Sequence, residues 1–327
     1  MNPYKQIHPA RAKTKNPDKL WDDSRWWCEE KLDGWRFLMH FGRNLPRVYL
    51  TGRRESKRTG GLSEKGLCAP QIWPNIEVID KHKLDYTVID GEVMAPTGFH
   101  DLAGIMNVAP EKAQKRIAEI GPPKFVAFDI LFWNGEDIRH LSYIERRGVL
   151  CPFIDDMNHP LLTRIASHAR PNNSTFYEEV VQRGGEGVVL KSVFGEYGED
   201  WIKVKKYTTL DVVVTGFTEA KEGKTGKYLG LIGAALVSVY GTNGELIEVG
   251  RVSGMTDEIR NHMSVCPEYW IGSVIEIAAT EFARERLRHP RFRRKREDAN
   301  PRAATFTKMM CDLGTPGYGL KGQMSLF

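Results

Sequence analysis

The sequence lacks the features that mark membrane-spanning, secreted and zinc-ribbon proteins. Its 327 residues contain no apolar run near the ~20 residues that a membrane helix needs, and residues 1–15 contain no apolar core of signal-peptide length. Its few cysteines are widely spaced and form no CxxC pair: Cys28, Cys68, Cys151, Cys266 and Cys311. This spacing argues against a zinc ribbon and a disulfide framework. We expect a cytoplasmic protein, in a bacterium or a virus-infected host cell, with reduced and mostly buried thiols.

The sequence also has no internal repeat and no low-complexity tract, and its charge is only mildly basic. Hydrophobic residues make up 41% and charged residues 27%, which is typical of a folded domain. Because single cores stop growing at roughly 250–300 residues, the length favours two domains. The formal net charge is +5, which permits an anionic partner. Positive charge is concentrated in residues 284–296, RERLRHPRFRRKR, where it indicates either a solvated face or an anion-binding surface.

The order of predicted elements changes near residue 207. Before it, strand-like segments at 36–41, 47–53, 86–96 and 124–135 alternate with helix-like segments at 110–121 and 175–185. After it, strand-like segments dominate, at 211–220, 233–241, 245–254 and 273–280, with one short helix that Thr256 would cap. Asn243-Gly244 predicts a type I′ hairpin turn. We predict a mixed domain over 1–208, a compact β-barrel over 209–312 and a Gly-rich, flexible tail over 313–327.

Several residues able to carry chemistry lie at predicted strand ends. Residues 29–36 read EEKLDGWR, in which Lys31, Asp33 and Arg36 are closely spaced. A lysine is nucleophilic only when its amine is neutral, which burial and nearby cations favour. Lys203 and Lys205 alternate on one strand and therefore share a face. Two adjacent like charges are unfavourable unless an anion, most simply a phosphate, lies between them.

Three more short motifs accompany these residues: DGE at 90–92, FD at 128–129 and EGVVLK at 186–191. Any one of them alone is an ordinary strand end. The ordered set resembles the nucleotidyltransferase superfamily of ATP-dependent DNA ligases, RNA ligases and mRNA capping enzymes. The segment TGRRES at 51–56 and the segment LRHPRF at Leu287–Phe292 extend the resemblance, and the latter most resembles the last motif of ATP-dependent DNA ligases.

The resemblance implies an α+β fold. Residues 1–208 would form a nucleotidyltransferase (adenylation) domain of antiparallel sheets and helices, and residues 209–312 an OB-fold β-barrel. The chain has neither the N-terminal module nor the zinc cysteines of NAD-dependent bacterial ligases, so ATP is the expected cofactor. It also has no room for the DNA-encircling domain of large ligases. It is similar to a minimal ligase of bacterial or viral type, which we expect to be a monomer.

The resemblance also implies a role for each motif residue. Lys31, with Asp33 in its motif, would attack the α-phosphate of ATP and carry AMP covalently. Glu29 would recognise the adenine amino group, Arg36 and Glu92 would hold the ribose, and Phe128 would stack on the adenine. Glu186, together with Glu92, would bind a divalent metal, Mg²⁺ or Mn²⁺. Three lysines would neutralise the α-phosphate: Lys203, Lys205 and, in an assisting role, Lys191. Trp201 would pack near the nucleotide, and Arg53 would contact the phosphate at the nick.

The basic stretch is expected to contact the triphosphate tail, DNA phosphates, or each in turn, through Arg288, Arg291, Arg293, Arg294 and Lys295. It departs from the family pattern, because Ala299 follows Asp298 where the last motif often has lysine. Either Lys295 or another basic residue replaces the missing lysine, or self-adenylylation is weakened.

The last five residues, QMSLF, resemble the peptide that binds bacterial sliding clamps. Gln323 would provide a polar anchor, and Leu326 and Phe327 would fill an apolar pocket. The alternative is a tail that packs on its own domain.

The motifs therefore predict an ATP-dependent DNA ligase that seals nicks in duplex DNA. An RNA ligase, or a capping guanylyltransferase, shares the lysine chemistry but differs in its partner. A DNA-binding protein with a decayed site would bind nicks without becoming adenylylated.

Overall fold

The computed structural model describes residues 7–15, 17–45, 48–55, 62–64, 84–168, 173–220, 230–283 and 285–314. It contains two compact units, Met1–Lys205 and Lys206–Phe327. The sequence-predicted boundary after residue 208 falls at the first residue of the second unit's first strand.

The first unit mixes strands and helices, as predicted. Its strands are β1 (Trp26–Glu30), β2 (Trp35–Phe41), β3 (Tyr49–Glu55), β4 (Leu62–Glu64), β5 (Thr87–Met94), β6 (Lys124–Trp133), β7 (Glu136–Asp137), β8 (Leu162–Arg164), β9 (Ser167–His168), β10 (Gly187–Ser192) and β11 (Trp201–Lys205). Its helices are α1 (Leu102–Met106), α2 (Pro110–Ile120), α3 (Tyr143–Met157) and α4 (Asn173–Gln182), with a 3₁₀ turn at Phe99–Asp101.

The larger sheet of this unit has the order β4-β3-β2-β5-β6-β7, with β8 pairing in parallel to β6. Side chains alternate between the two faces of a strand, and one face forms an apolar core that includes Met39, Ile89 and Leu150. The other face of β2 and β5 consequently carries Arg36 and Glu92 at paired positions.

The smaller sheet has the order β11-β10-β1-β9, and its described strands pair in antiparallel fashion. Cys28, Val188 and Ile202 lie on one face and pack with Val180 of α4. The opposite face therefore carries Glu29, Lys191, Trp201, Lys203 and Lys205, which alternate with those core residues.

A β-bulge in β6 changes the direction of one pair of side chains. Asp90 pairs with Asp129 and Gly91 with Ala127, so Phe128 is the extra residue. Ala127 and Ile130 both lie in the apolar core. The bulge thus places two consecutive side chains, Phe128 and Asp129, away from that core.

Helix α3 was not predicted from the sequence, nor were the short helices α1 and α6 (Phe306–Asp312). Ser142 caps α3 in a capping box with Glu145, whose side chain accepts a hydrogen bond from the Ser142 backbone N–H. Pro152 lies inside the helix, and the buried face includes two arginines, Arg146 and Arg147. An internal proline and buried charge obscure the apolar periodicity by which such a helix is found.

The second unit contains a five-stranded antiparallel sheet with the order β14-β13-β12-β15-β18. The strands of this unit are β12 (Thr208–Glu219), β13 (Ile232–Tyr240), β14 (Leu246–Val252), β15 (Val274–Ala279), β16 (Glu281–Ala283), β17 (Arg286–Arg288) and β18 (Arg291–Lys295), of which β16 and β17 pair with each other in a separate two-stranded sheet. Ser253, just beyond β14, bridges to Arg291 of β18, so the two edges of the sheet meet. The curled sheet is an OB-like barrel, as predicted.

Helix α5 (Asp257–Val265) also confirms a prediction, since the Thr256 side chain accepts a hydrogen bond from the Ile259 N–H. The prediction of a type I′ turn at Asn243-Gly244 is wrong. That turn requires positive φ at both central residues, whereas Gly244 has φ of 79° and Asn243 is not among the described residues with positive φ.

The described cysteines and helices bear on two further expectations from the sequence. The described cysteines are free thiols, but only Cys28 among them is buried, so the expectation of mostly buried thiols is wrong. No helix in the described ranges is long and apolar enough to cross a membrane.

Candidate active site

Lys31 lies in the turn that leads from β1 to β2, and tight backbone contacts fix this turn. The Lys31 N–H donates a hydrogen bond to the Gly187 carbonyl (2.8 Å). The Gly34 N–H donates to Glu92 Oε1 (3.2 Å). A Cβ on Gly34 would lie 2.4 Å from the Val93 carbonyl oxygen, so only glycine fits there. The motif spacing therefore places Lys31 where the two sheets meet.

Lys31, Glu186 and Lys205 form one ionic cluster, the lysine–glutamate cluster. Glu186 Oε2 contacts Lys31 Nζ, and Glu186 Oε1 lies 2.5 Å from Lys205 Nζ. Burial alone would raise the pKa of Glu186, but the two ammonium groups outweigh it and lower that pKa. The side chains remain 15–22% exposed, so a ligand can reach them.

Gly187 brings Glu186 into this cluster. Its φ is +131°, and a Cβ there would lie 2.1 Å from the Val204 carbonyl oxygen. A larger residue would push β10 away from β11. The glycine in EGVVLK is therefore explained by the close pairing of the strands that carry Glu186 and Lys205.

Glu92 lies beside this cluster on β5. Burial raises the pKa of Glu92 to about 7, although Lys31, Arg36 and the Gly34 N–H oppose the shift. Glu92 therefore changes charge near neutral pH, within electrostatic reach of Lys31.

Aromatic rings and Arg36 lie together on the faces of the two sheets that point away from their apolar cores. The Phe128 and Trp201 ring centroids are 6.2 Å apart at 79°. The Arg36 guanidinium lies 5.2 Å from the Phe128 centroid and 5.5 Å from that of Trp201. Its direction is fixed by a bidentate ion pair with the buried Asp90 (2.9 and 2.5 Å). Asp90 was predicted only as part of the DGE motif, and its pairing with Arg36 is new.

Glu29 and Lys191 belong to a buried polar group that sequence reasoning did not find. We call it the buried network and define it as Glu29, Asp129, Tyr143, Arg146, Arg147, Ser167 and Lys191. Lys191 Nζ lies 2.8 Å from Glu29 Oε2 and donates to the Phe128 carbonyl (3.0 Å). Lys191 is 1% and Glu29 2% exposed, so both charges are removed from water. The spacing of Tyr143, Arg146 and Arg147, at i, i+3 and i+4 of a helix, was the available clue.

The remaining predicted residues of the first unit lie nearby. Asp33 is partly buried in the Lys31 turn, and Lys203 is partly buried opposite Val189. Arg53 is exposed at the end of β3. Partial desolvation of its guanidinium by surrounding atoms and the neighbouring cations Arg11, Arg36 and Arg54 lower the pKa of Arg53. This concentration of guanidinium groups suits an anion.

The structure separates the predicted basic residues of the second unit into paired and unpaired groups. Arg288 pairs with Glu281 (2.6 Å), and Arg294 pairs with Glu276 (3.0 Å). Lys295 Nζ lies 3.3 Å from the Tyr269 ring centroid. Among the described residues, no acidic partner is seen for Arg291 or Arg293, which are exposed. The predicted clamp-binding residues Gln323, Leu326 and Phe327 lie outside the described residues.

Known proteins resemble the chain in both sequence and fold. A family model for the ATP dependent DNA ligase domain matches residues 9–205. A probable DNA ligase of Streptomyces avermitilis is 30% identical over 245 residues, which is 70% of this chain and 44% of that protein. A DNA ligase of Archaeoglobus fulgidus is 29% identical over 312 residues, which is 83% of this chain and 51% of that protein. The chain thus spans about half the length of these relatives or less.

A solved structure of a Lig E DNA ligase, described as binding DNA with a minimal scaffold, shares the fold. Its TM-score is 0.60 at 20% identity, and the match covers 89% of this chain and 99% of that chain. Because the family model spans more than half of the sequence, the chain belongs to the family of the ATP dependent DNA ligase domain.

Proposed function

We propose that this protein is an ATP-dependent DNA ligase that seals nicks between a 5′-phosphate and a 3′-hydroxyl in duplex DNA. The observation that carries the proposal is the lysine–glutamate cluster, in which Lys31 lies beside a second lysine and a carboxylate, and all three side chains are partly exposed. Family membership and the DNA ligase relatives support the same reaction class.

In the first step, Lys31 Nζ attacks the α-phosphorus of ATP. The amine must first lose a proton, because an ammonium group has no lone pair. A phosphorus–nitrogen bond forms, the bond to the pyrophosphate oxygen breaks, and lysyl-AMP results. Lys203 and Lys205, with Asp33 in the Lys31 turn, complete the catalytic set, in which the lysines neutralise charge on the α-phosphate in the transition state.

The two later steps repeat the displacement on DNA. The 5′-phosphate at the nick attacks lysyl-AMP, which frees Lys31 and gives adenylylated DNA. The 3′-hydroxyl then attacks that phosphate, the strand is closed and AMP leaves. Each step is driven mainly by positioning and charge neutralisation.

The nucleotide is expected to lie along the smaller sheet. Gly187 and Lys191 are four residues apart on β10, which corresponds to about 13 Å. The lysine–glutamate cluster would bind the phosphates at one end. Phe128 and Trp201 would pack against the base at the other end, where Glu29 would accept from the adenine amino group. Arg36 and Glu92 would contact the ribose. On this arrangement we propose that Lys191 lies near the base, instead of assisting at the α-phosphate as the resemblance implies.

The donor set fits a divalent metal held jointly with the nucleotide. The described residues contain no group of three or more acidic, histidine or cysteine side chains that could hold a metal alone. Mg²⁺ is often bound by one or two carboxylates plus substrate phosphates. Glu186, with Glu92, would hold Mg²⁺ or Mn²⁺, which would supply further charge neutralisation. Glu186 would then exchange its lysine partners for the metal.

A labelling experiment tests the proposed function. The protein is incubated with ATP labelled at the α-phosphate and Mg²⁺, denatured, and examined for bound label, with Lys31→Ala alongside. Nicked DNA and nicked RNA are then added separately. We expect label on the wild type only, followed by its transfer to DNA and strand closure. Closure of RNA alone would make the protein an RNA ligase. Absence of label, even after pyrophosphate treatment to remove bound AMP, would leave a non-catalytic nick-binding protein.

We further propose that the second unit contacts DNA and the triphosphate through its basic residues, and that the C-terminal QMSLF binds a bacterial-type sliding clamp. A synthetic peptide of residues 317–327 should bind such a clamp in a direct titration. No binding at high micromolar concentration would contradict the second proposal, which does not affect the first.

A further inference from the structure

Helix α3 brings three buried polar side chains against the base end of the candidate site. Tyr143 and Arg146 are completely buried, and Arg147 is nearly so. Spaced at i, i+3 and i+4, they form one continuous patch on the helix surface. Burying two guanidinium groups is unfavourable unless each is paired, so their partners indicate what they do.

Tyr143 and Arg147 both hold Glu29. The Tyr143 hydroxyl donates to Glu29 Oε1, and Arg147 Nη1 lies 3.3 Å from the same oxygen. Ser167, directly opposite Glu29 in the strand pairing, donates to Oε1 as well (2.6 Å). With Lys191 on Oε2, both oxygens are engaged. The carboxylate therefore cannot rotate without breaking several buried hydrogen bonds.

Arg146 holds the β6 bulge in the same way. Its guanidinium makes a bidentate ion pair with the buried Asp129 (2.7 and 3.1 Å) and donates to the Leu141 carbonyl (2.5 Å). Because Asp129 follows Phe128 directly, holding the Asp129 side chain also holds the backbone that sets the direction of the Phe128 ring. Lys191 then joins the two halves, because its ammonium contacts Glu29 and the Phe128 carbonyl.

We propose that Tyr143, Arg146 and Arg147 are positioning residues that set the base specificity of the site, by holding the Glu29 carboxylate and the Phe128–Asp129 bulge in fixed directions. The inference rests on the proposed function. A fixed carboxylate accepts a hydrogen bond from the exocyclic amine of adenine. A base with a carbonyl at that position would place acceptor against acceptor in a buried site, which is unfavourable. A carboxylate free to turn away would lose this discrimination.

The test measures self-adenylylation as a function of nucleotide concentration, with ATP and with inosine triphosphate, in which a carbonyl replaces the amine. Intact-mass spectrometry distinguishes the two protein adducts. For Tyr143→Phe and Arg147→Met we expect the KM for ATP to rise at least tenfold, with the rate at saturation changed less than threefold. The preference for ATP over inosine triphosphate should fall at least tenfold. Arg147→Lys, which keeps the charge, should recover part of both effects.

Tyr86→Phe is a matched control, because it removes a tyrosine hydroxyl that contacts His40 in the same unit, outside the buried network. It should leave both nucleotide parameters unchanged. Thermal unfolding is recorded for every variant, and Ser167→Ala replaces Arg147→Met if the latter does not fold. An unchanged KM and unchanged preference in folded variants would overturn the inference, as would a loss of rate at saturation alone. A wild-type protein that takes up neither nucleotide would instead contradict the proposed function.

Discussion

Two groups of paired charged residues in the first unit differ in how far their side chains are exposed to water. In the buried network, the Lys191 and Glu29 side chains are only 2% and 3% exposed, and their charges have protein partners. In the lysine–glutamate cluster, Lys31, Glu186 and Lys205 retain 15–22% exposure. Buried pairs are costly to disturb and therefore fix geometry. Partly exposed pairs exchange partners at lower cost, which suits the phosphates and the metal that we propose this cluster receives.

The strongest test of this contrast removes the Lys31 amine from the lysine–glutamate cluster. Lys31→Ala should lower self-adenylylation by ~10³-fold or more, because Lys31 is the residue that we propose carries AMP covalently. Thermal unfolding should shift little, since the side chain is partly exposed. Lys112→Ala, an exposed lysine on α2, is the control and should retain full labelling. Label on Lys31→Ala at the wild-type rate would remove Lys31 from the chemistry.

Two lysine-to-methionine variants separate the groups by stability. Lys191→Met removes one of the two cations that contact the buried Glu29 carboxylate and leaves Oε2 without its ammonium partner. It should lower the free energy of unfolding by about 3 kcal/mol. Lys205→Met should change that free energy by less than about 1 kcal/mol, yet slow adenylylation ~10²-fold through lost charge neutralisation. Urea unfolding and single-turnover labelling of both variants provide the measurements. Equal effects on stability would show that the two groups do not differ as described.

His40 adds a case in which a buried polar group is kept uncharged. It is completely buried and contacts the Tyr86 and Thr51 hydroxyl groups (2.7 Å each). Burial lowers the pKa of His40 to about 3, whereas the unfolded chain should titrate near 6.5. Below pH 6.5 the unfolded state binds the proton and the folded state does not, so the free energy of unfolding falls, by about 2 kcal/mol at pH 5. Above pH 6.5 this contribution to stability is fully present.

Comparing the wild type with His40→Gln isolates this effect, because other titrating groups are common to both. Urea unfolding at pH 5, 6 and 7.5 should show a smaller loss of stability with acidification in the variant. The same pH dependence in both proteins would contradict the pKa shift.

The sequence predicted the residues of the lysine–glutamate cluster far better than those of the buried network. Lys31, Glu186 and Lys205 lie in short motifs whose chemistry is local, and strand alternation alone placed Lys203 and Lys205 on one face. The partners of Glu29 come from β9, β10 and α3, and only tertiary packing brings them together. Helix α3 itself escaped prediction because its buried arginines and Pro152 break the apolar periodicity, although its capping box was visible.

Bulges and turns were also hidden from the sequence. Strand β6 was predicted as a simple apolar strand, yet the extra residue at Phe128 turns Phe128 and Asp129 towards the site. A bulge depends on the register of the neighbouring strand, which residue type does not reveal. Asn243-Gly244 is a second case, where the residue types favour a type I′ turn but Asn243 does not adopt the positive φ that this turn requires.

The smallest predicted effect concerns the second unit. It tests whether an arginine that is paired within the protein contributes less to DNA binding than one without an acidic partner. Strand β18 offers neighbouring arginines: Arg294 is paired with Glu276, while Arg293 lies at a bulge with no acidic partner among the described residues. If Arg293 contacts a DNA phosphate, Arg293→Ala should lower the slope of log affinity against log salt by about 0.9. Arg294→Ala should lower it less, because its charge is already balanced by Glu276. Salt titrations of nicked-DNA binding provide the measurement. Equal slopes for the two variants would mean that pairing within the protein does not decide which arginines reach DNA.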